Sequence, residues 1–443
     1  MNPNDLLKNI LKKSVDQAEV FYSSSSALKI DVHDQKVESV DEIRDQGIGI
    51  RVIKNNKLGF AFTSDLDEDV LEETIEEAVA NAENSEADEN HQLPTANCKI
   101  QNKLQLFNDQ IPNTPIKDKI ALALEIETAA YQNCKRVKKT EKITYSDSES
   151  EIRIVNSHGL DVSYKSNSCG AVAQIIAVQD GEMEYGFGLS HVKKYQDLNP
   201  QAIGQEAAQR ACQLLGAKTI KSQNLPIVLD PTVGIDLLEV LFSPLTAEAV
   251  QKGKSLFSNK IGQQVASAKI KIIDNGRLEN ALGTSPFDDE GVPTQETVLI
   301  ENGKLQTYLY NTYSASKGKA KSTGNASRGG FSTRPGTGPT NFYISPNSKL
   351  RTPNSIIRSI KRGLLVLRVM GIHTANPISG EFSVGASGIM IENGELTHPV
   401  RGVTISGNLI DMLMRIEEVG SDLRFIGSTG APTLLVADVS VGG

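Results

Sequence analysis

Six histidines, His33, His91, His158, His191, His373 and His398, are the first candidates for metal or acid–base chemistry. A zinc hydrolase of the H-E-x-x-H kind needs two of them one helical turn apart, with a glutamate beside the metal-bound water. The nearest pair here, His373 and His398, is 25 residues apart, so no local pair forms. A site gathered from distant ligands would draw on His373, Glu381 and His398. The competing reading makes each histidine a hydrogen-bonded structural residue. Gly385-Ala386-Ser387-Gly388 lacks the glycine spacing of a G-x-S-x-G nucleophile elbow. No G-x-x-x-x-G-K-[ST] and no strand-linked G-x-G-x-x-G occurs, which leaves nucleotide binding unsupported. Asp288-Asp289-Glu290-Gly291 is a compact acidic turn that could hold a hard cation or simply be a capped turn. A stand-alone hydrolytic site would have to be built from Asp289, Glu290, Glu381, His373 or His398. By themselves these residues assemble no self-contained catalytic constellation.

The elements that must carry them divide near residue 222. In 1–222, short β-prone segments at 18–22, 28–32, 47–53 and 58–63 lead into an amphipathic helix. Leu71, Ile75, Ala78 and Ala82 share one face of that helix. A second unit resembles the first. A helix at 116–131 precedes strands at 142–145, 152–155, 171–178 and 185–189, and a helix at 202–215 closes the unit. The hairpins 49–64 and 173–190 read as one pattern used twice. In 223–443, helical pieces are expected at 233–242, 353–361 and 407–416. Asn302-Gly303 and Asn393-Gly394 each sit between strand-like runs, and Asn-Gly tolerates the positive φ of a type I′ turn. The expected fold is α+β. Residues 1–222 form an N-terminal domain of repeated antiparallel meander-plus-helix units, and 223–443 a β-rich domain with hairpins and a few helices. Residues 314–341 hold Lys317, Lys319, Lys321, Arg328 and Arg334 and no acid. That composition reads either as a mobile loop or as a loop contacting a partner or a peptide carboxylate.

Composition narrows the function classes. The chain has 443 residues and a formal charge of −8, which disfavours nucleic acid and anionic membrane as partners. Twelve acids and no Lys or Arg lie between Asp65 and Glu89, so the charge belongs mostly to one helix and its flanks. No apolar run approaches the ~18 residues of a membrane span, and the first residues lack the apolar core of a signal peptide. Cys98, Cys134, Cys169 and Cys212 contain no CxxC and suggest no disulfide framework, which points to a reducing, cytoplasmic setting.

Several blocks, taken in order, carry a resemblance. They are Phe287-Asp288-Asp289-Glu290-Gly291-Val292-Pro293-Thr294, Ile300 to Leu305, Ser322-Thr323-Gly324-Asn325, Gly380 to Gly388, and Ile391-Glu392-Asn393-Gly394. Together they resemble the TldD/PmbA family, over nearly the whole chain. TldD-like members carry a His-Glu-x-x-x-His element and a later Cys that together bind zinc. In the matching stretch, Leu238 and Ser243 stand where the two His would be, Glu239 persists, and no Cys follows Cys212. The chain is therefore similar to the PmbA/TldE branch.

That resemblance implies a supporting role. This chain would bind no metal and hold no catalytic residue, with zinc in a TldD-like partner. The pair would form a cytoplasmic metalloprotease acting on unfolded proteins or peptides. This subunit would form one wall of the chamber and offer β edges to substrate backbone. Candidate substrate or partner contacts are Asn302, Gly303, Asn393, Gly394, Arg328, Arg334, His373 and Glu381. Deprived of its partner, the chain is expected to pair with itself. The competing readings are a stand-alone hydrolase with a non-standard site and a regulatory or binding module.

Overall fold

The computed structural model describes residues 2–95, 104–347 and 351–443; Cys98 lies outside them. The first half of the chain opens with α1 (Pro3–Leu11), β1 (Gln17–His33), β2 (Lys36–Lys54), β3 (Lys57–Thr63) and α2 (Glu68–Asn84). It continues through α3 (Gln110–Asn113), α4 (Ile116–Asn133), β4 (Val137–Asn156), β5 (Asp161–Gln179), β6 (Glu182–Val192) and α5 (Pro200–Cys212). Its strands build one antiparallel sheet in the order β3-β2-β1-β4-β5-β6. The two meanders read from the sequence meet back to back at β1 and β4.

The short segments expected at 18–22 and 28–32 are parts of one 17-residue strand. Ser23–Ser26 lies between them and has little strand preference of its own. Pairing with β2 on one side and β4 on the other carries it through. Helix α2 lies on the β2–β3 hairpin, while α4 and α5 lie on β4, β5 and β6. Both units use the same device for close approach. A Cβ on Gly59 would come 1.9 Å from the Ala78 carbonyl oxygen of α2, and one on Gly186 would come 2.3 Å from that of Ala207 in α5. The glycines let backbone meet backbone over cores built from Ile50, Val52 and Ile75, and from Ile126, Ile175 and Ala207.

One expectation fails here. Cys134, just after α4, and Cys212, the last residue of α5, form a disulfide across 78 residues of sequence. The spacing gave no sign of it because the two meet only through the packing of α4 on α5. The pairing removes the argument from unpaired cysteines for a reducing compartment.

The second half begins with β7 (Gln223–Leu229), α6 (Pro231–Phe242), α7 (Ala247–Gln251), β8 (Ile272–Asn275), β9 (Glu296–Glu301) and β10 (Lys304–Leu305). Next come α8 (Thr312–Lys317), β11 (Ala326–Ser327), β12 (Gly336–Thr337), β13 (Phe342–Ile344), α9 (Pro353–Arg358) and β14 (Arg362–Met370). It ends with β15 (Glu381–Glu392), β16 (Glu395–Asn408), α10 (Leu409–Met414), β17 (Ile416–Val419), β18 (Arg424–Ile426), β19 (Thr429–Ala431) and β20 (Leu434–Gly442). One sheet runs β10-β9-β8-β13-β19-β18 and another β16-β15-β14-β7-β20-β17. In the latter, β16 also pairs with β20, so β16, β15, β14, β7 and β20 close on themselves. Helix α6 packs against β14 and β19, placing Leu237, Leu238 and Leu241 in the core shared with Leu364 and Val384.

The architecture is α+β with a β-rich second half. The Asn-Gly turns form as expected, with φ of 49° and 75° at Asn302 and Gly303 and 52° and 81° at Asn393 and Gly394. No helix among the described residues is long and apolar enough to cross a membrane.

Candidate functional site

Helix α6 carries Leu238 and Glu239, and Ser243 follows it, the stretch that the resemblance matches to a zinc-binding element. It starts at Asp230, whose carboxylate accepts the Thr232 N–H at 3.0 Å, with Pro231 in the first turn where no N–H is needed. Asp230 is also bound by Arg210 of α5 at 3.0 Å, and Glu206 of α5 by Arg424 of β18 at 2.9 Å. The N-terminal end of α6 is thereby fixed to the first half of the chain. Its outer face presents Asp236 and Glu239, which are spaced i, i+3. Burial pushes Asp236 up to about 6, with the Glu239 charge adding to the effect, and burial also raises Glu239 above the ordinary carboxylate range. The turn Ile372–Thr374, carrying His373, lies against the same helix.

The donor set does not fit zinc. Leu238 is fully buried among apolar side chains, and Ser243 is exposed just beyond the helix. Among the described residues, no group of three or more His, Cys, Asp or Glu could hold a metal ion. Glu239 therefore stands on α6 without a ligand set around it. Asp236, which the sequence reading passed over, is its nearest acidic neighbour along the helix. Its place beside Glu239 in an otherwise apolar helix is the signal that could have found it.

Of the other candidate residues, His373 comes to α6 on its turn, but the rest do not gather there. His373 and Glu381 are exposed, at the Ile372–Thr374 turn and at the start of β15. His398 lies on β16 next to Pro399, which pairs with Ile389 near the far end of β15. Eight residues of strand separate Glu381 from Ile389, which is roughly 27 Å at strand rise. His373, Glu381 and His398 thus do not converge.

The turn Asn302-Gly303 is engaged by its own surroundings. The Gly303 N–H donates to the Ile270 carbonyl at 2.9 Å, and the Gly303 carbonyl accepts from Val265 and Ala266. Asn393 and Gly394 donate to Lys361 and Ile360. These backbone groups are already used within the chain.

The basic segment 314–341 is neither a free loop nor a uniform basic surface. It contains most of α8 and the β11–β12 hairpin, and of its two arginines only Arg334 is exposed. The Arg328 side chain is fully buried, so its guanidinium is not the surface contact expected from the sequence. Its guanidinium pairs with Glu19 of β1 and lies 4.5 Å over the Phe21 ring. Its backbone N–H donates to Asp289 at 2.7 Å, and its Nε donates to the Asp289 carbonyl at 3.0 Å.

Glu19 also accepts from Arg51 of β2 at 2.7 Å, and the other end of the Arg51 guanidinium reaches Glu290 at 2.7 Å. Burial works against the Glu290 charge, but Arg51 and the Thr312 N–H hold its carboxyl below the usual range. Asp288 accepts three backbone N–H bonds, from Glu290, Val292 and Ala326. The acidic turn 288–291 is thus a capped turn whose spare charge meets arginine. Together these residues form a buried charge network joining the N-terminal sheet to the second half.

Comparisons with known proteins agree with this architecture. Residues 222–443 match the profile of the PmbA/TldA metallopeptidase C-terminal domain, 109–215 that of the central domain, and 18–82 that of domain 1. The chain is 27% identical to a metalloprotease PmbA homolog of Haemophilus influenzae, covering 97% of this chain and 93% of that one. Among solved structures it is similar to a candidate modulator of a DNA gyrase from Thermotoga maritima. The TM-score is 0.91 at 30% identity, with 99% of both chains covered. TldE from Thermococcus kodakarensis shares the fold, with a TM-score of 0.89 at 24% identity over 99% of both chains.

Proposed function

The chain belongs to the PmbA/TldD metallopeptidase family, and from that premise we propose that it is the non-catalytic subunit of a TldD/TldE-type peptidase. In this reading the zinc and the chemistry sit in a TldD-like partner, and this chain completes the chamber in which unfolded proteins or peptides are cut. The observation that carries the reading is the full burial of Leu238 in the core, at the position where the resemblance would put a zinc ligand. Restoring a histidine there would bury an imidazole in the hydrophobic core. The matched stretch of α6 is thus committed to packing.

An unpaired strand edge supports the contact role. Among the described residues, β2 pairs between 36 and 47 only with β1, because β3 reaches no further than Ile48. Such an edge can add a partner or substrate strand through main-chain hydrogen bonds that do not depend on sequence. The resemblance carries the cytoplasmic setting, and a chain without its partner pairs with itself.

Zinc content and peptidase activity on an unfolded casein substrate test the reading. They are measured for this chain alone, for a TldD-like chain, and for their mixture. This chain alone should hold no stoichiometric zinc and turn over no substrate, and the mixture should be active. Stoichiometric zinc with turnover in the isolated chain would overturn the proposal.

A further inference from the structure

Between the end of β6 and the second half runs a cleft that the reading above does not use. Its wider part is a cavity of about 460 Å³ lined by Leu278, Leu282, Tyr343, Leu423 and Phe425. The Tyr343 and Phe425 rings are tilted against each other with centroids 5.6 Å apart. Gly430 makes this packing possible, since a Cβ there would lie 2.8 Å from the Phe425 ring. Along a shared wall of Glu279, Asn280 and Ala281 the cleft continues into a second cavity of about 380 Å³, lined by Lys193 and Lys194, so one exposed carboxylate, that of Glu279, borders both cavities.

Lys193 is an ammonium without a counter-ion. Its Nζ donates to the Asn167 carbonyl at 3.4 Å, and no carboxylate among the described residues pairs with it. Residues 1, 96–103 and 348–350 contain no Asp or Glu. Burial holds the Lys193 pKa below the usual lysine value, and nearby His191 is lowered first by its own burial and then by the Lys193 charge. A partly desolvated, unpaired charge is a cost to the folded chain, and an anion from outside would relieve it.

An apolar cavity of side-chain size beside an unmatched cation describes one kind of ligand: an apolar side chain with a carboxylate next to it. We infer that this cleft binds the C-terminal end of a peptide. An aromatic or aliphatic last side chain enters between Leu423 and Phe425, and the terminal carboxylate meets Lys193. The ligand class, a peptide, rests on the reading of this chain as a peptidase-family subunit. The binding itself needs neither zinc nor a partner.

The test is fluorescence polarisation on the isolated full chain with a fluorescein-labelled tetra-alanyl-phenylalanine peptide. It is used as the free acid, as the C-terminal amide, and as an amide with aspartate in the penultimate place. The free acid should bind about tenfold more tightly than either amide. Lys193→Met, which removes an unpaired charge and so should fold at least as well, should abolish that preference. Lys193→Arg should keep it, and Phe425→Ala should weaken the acid and the amides alike. Equal affinity of acid and amides, or no saturable binding of the acid, overturns the proposal. So does an aspartyl amide that binds as well as the acid, because it assigns the cation to side-chain carboxylates. Failure here alongside an active mixture with a TldD-like chain would leave the subunit reading standing.

Discussion

Asp274 of β8 is a buried carboxyl whose surroundings pull in opposite directions. Burial pushes its pKa up to about 6, while hydrogen bonds from the Asn325 side chain (2.7 Å) and from the Thr340 N–H (2.7 Å) and hydroxyl (2.9 Å) resist the shift. In the unfolded chain the same group loses its proton near pH 4. Between about pH 4 and 6 the native state therefore binds the extra proton, and stability falls as pH rises through that window. The two-unit shift corresponds to about 3 kcal/mol at most. Asp274→Asn should remove this part of the slope, read as urea midpoint against pH from 4 to 7. An identical slope in the variant would sink the assignment. At this scale the sequence was a poor guide. Glu19, Arg51, Glu290 and Arg328 look like ordinary surface residues in one dimension. Their partners lie as far as 239 and 309 residues away, and only the folded sheet brings them together. The acidic turn was visible as a turn, but its arginine was not.

Among the elements, local chemistry was legible and extent was not. The two Asn-Gly hairpins, α2 and α6 follow from turn residues and apolar spacing that sit within a few positions of each other. Strand β1 is longer than its β-prone segments because the pairing that extends it through Ser23–Ser26 comes from β2 and β4. The internal repeat, faint in the sequence, is clear in the sheet order, and its glycines make it testable. Gly59 faces α2 and Gly186 faces α5 at distances that leave no room for a methyl group. Each substitution to alanine must push a helix off its hairpin, a form of overpacking that costs about 1–3 kcal/mol. Gly216, with open space around its Cβ position but a φ of 76°, separates the two effects. Gly216→Ala brings only backbone strain, of order 1 kcal/mol. Denaturant unfolding should show Gly186→Ala and Gly59→Ala losing more stability than Gly216→Ala. If all three lose the same amount, close helix approach is not what these glycines provide.

Across the whole molecule, the two halves each hold an apolar core, yet the contact between them is built like an interior. Glu19, Arg51, Glu290 and the side chain of Arg328 are buried in it, beside a small cluster of Phe21, Ile154, Leu160 and Phe287. Farther along the junction the Tyr313 hydroxyl donates to Asp88 at 2.8 Å, and the Tyr313 ring stacks on His91. If the chain forms a chamber wall as proposed, its two halves must keep their relative position, and this junction supplies non-covalent contacts that hold it. The same arrangement makes the junction vulnerable. Arg51→Ala would leave Glu19 and Glu290 buried with their shared cation gone, and breaking such a pair on one side costs about 3–5 kcal/mol. The loss falls on the contact between the halves and spares their separate cores. The native chain should therefore unfold in one transition, coincident by far-UV circular dichroism and by tyrosine emission, since the chain has no tryptophan. Arg51→Ala should split it in two. Lys13, whose partners Glu72 and Glu76 are exposed, is the matching surface control, and Lys13→Ala should leave the midpoint almost unmoved. A single, unshifted transition in Arg51→Ala would mean that the buried charges do not couple the halves. The halves would then be held by the apolar cluster and the remaining polar contacts, Tyr313–Asp88 and Arg210–Asp230 among them.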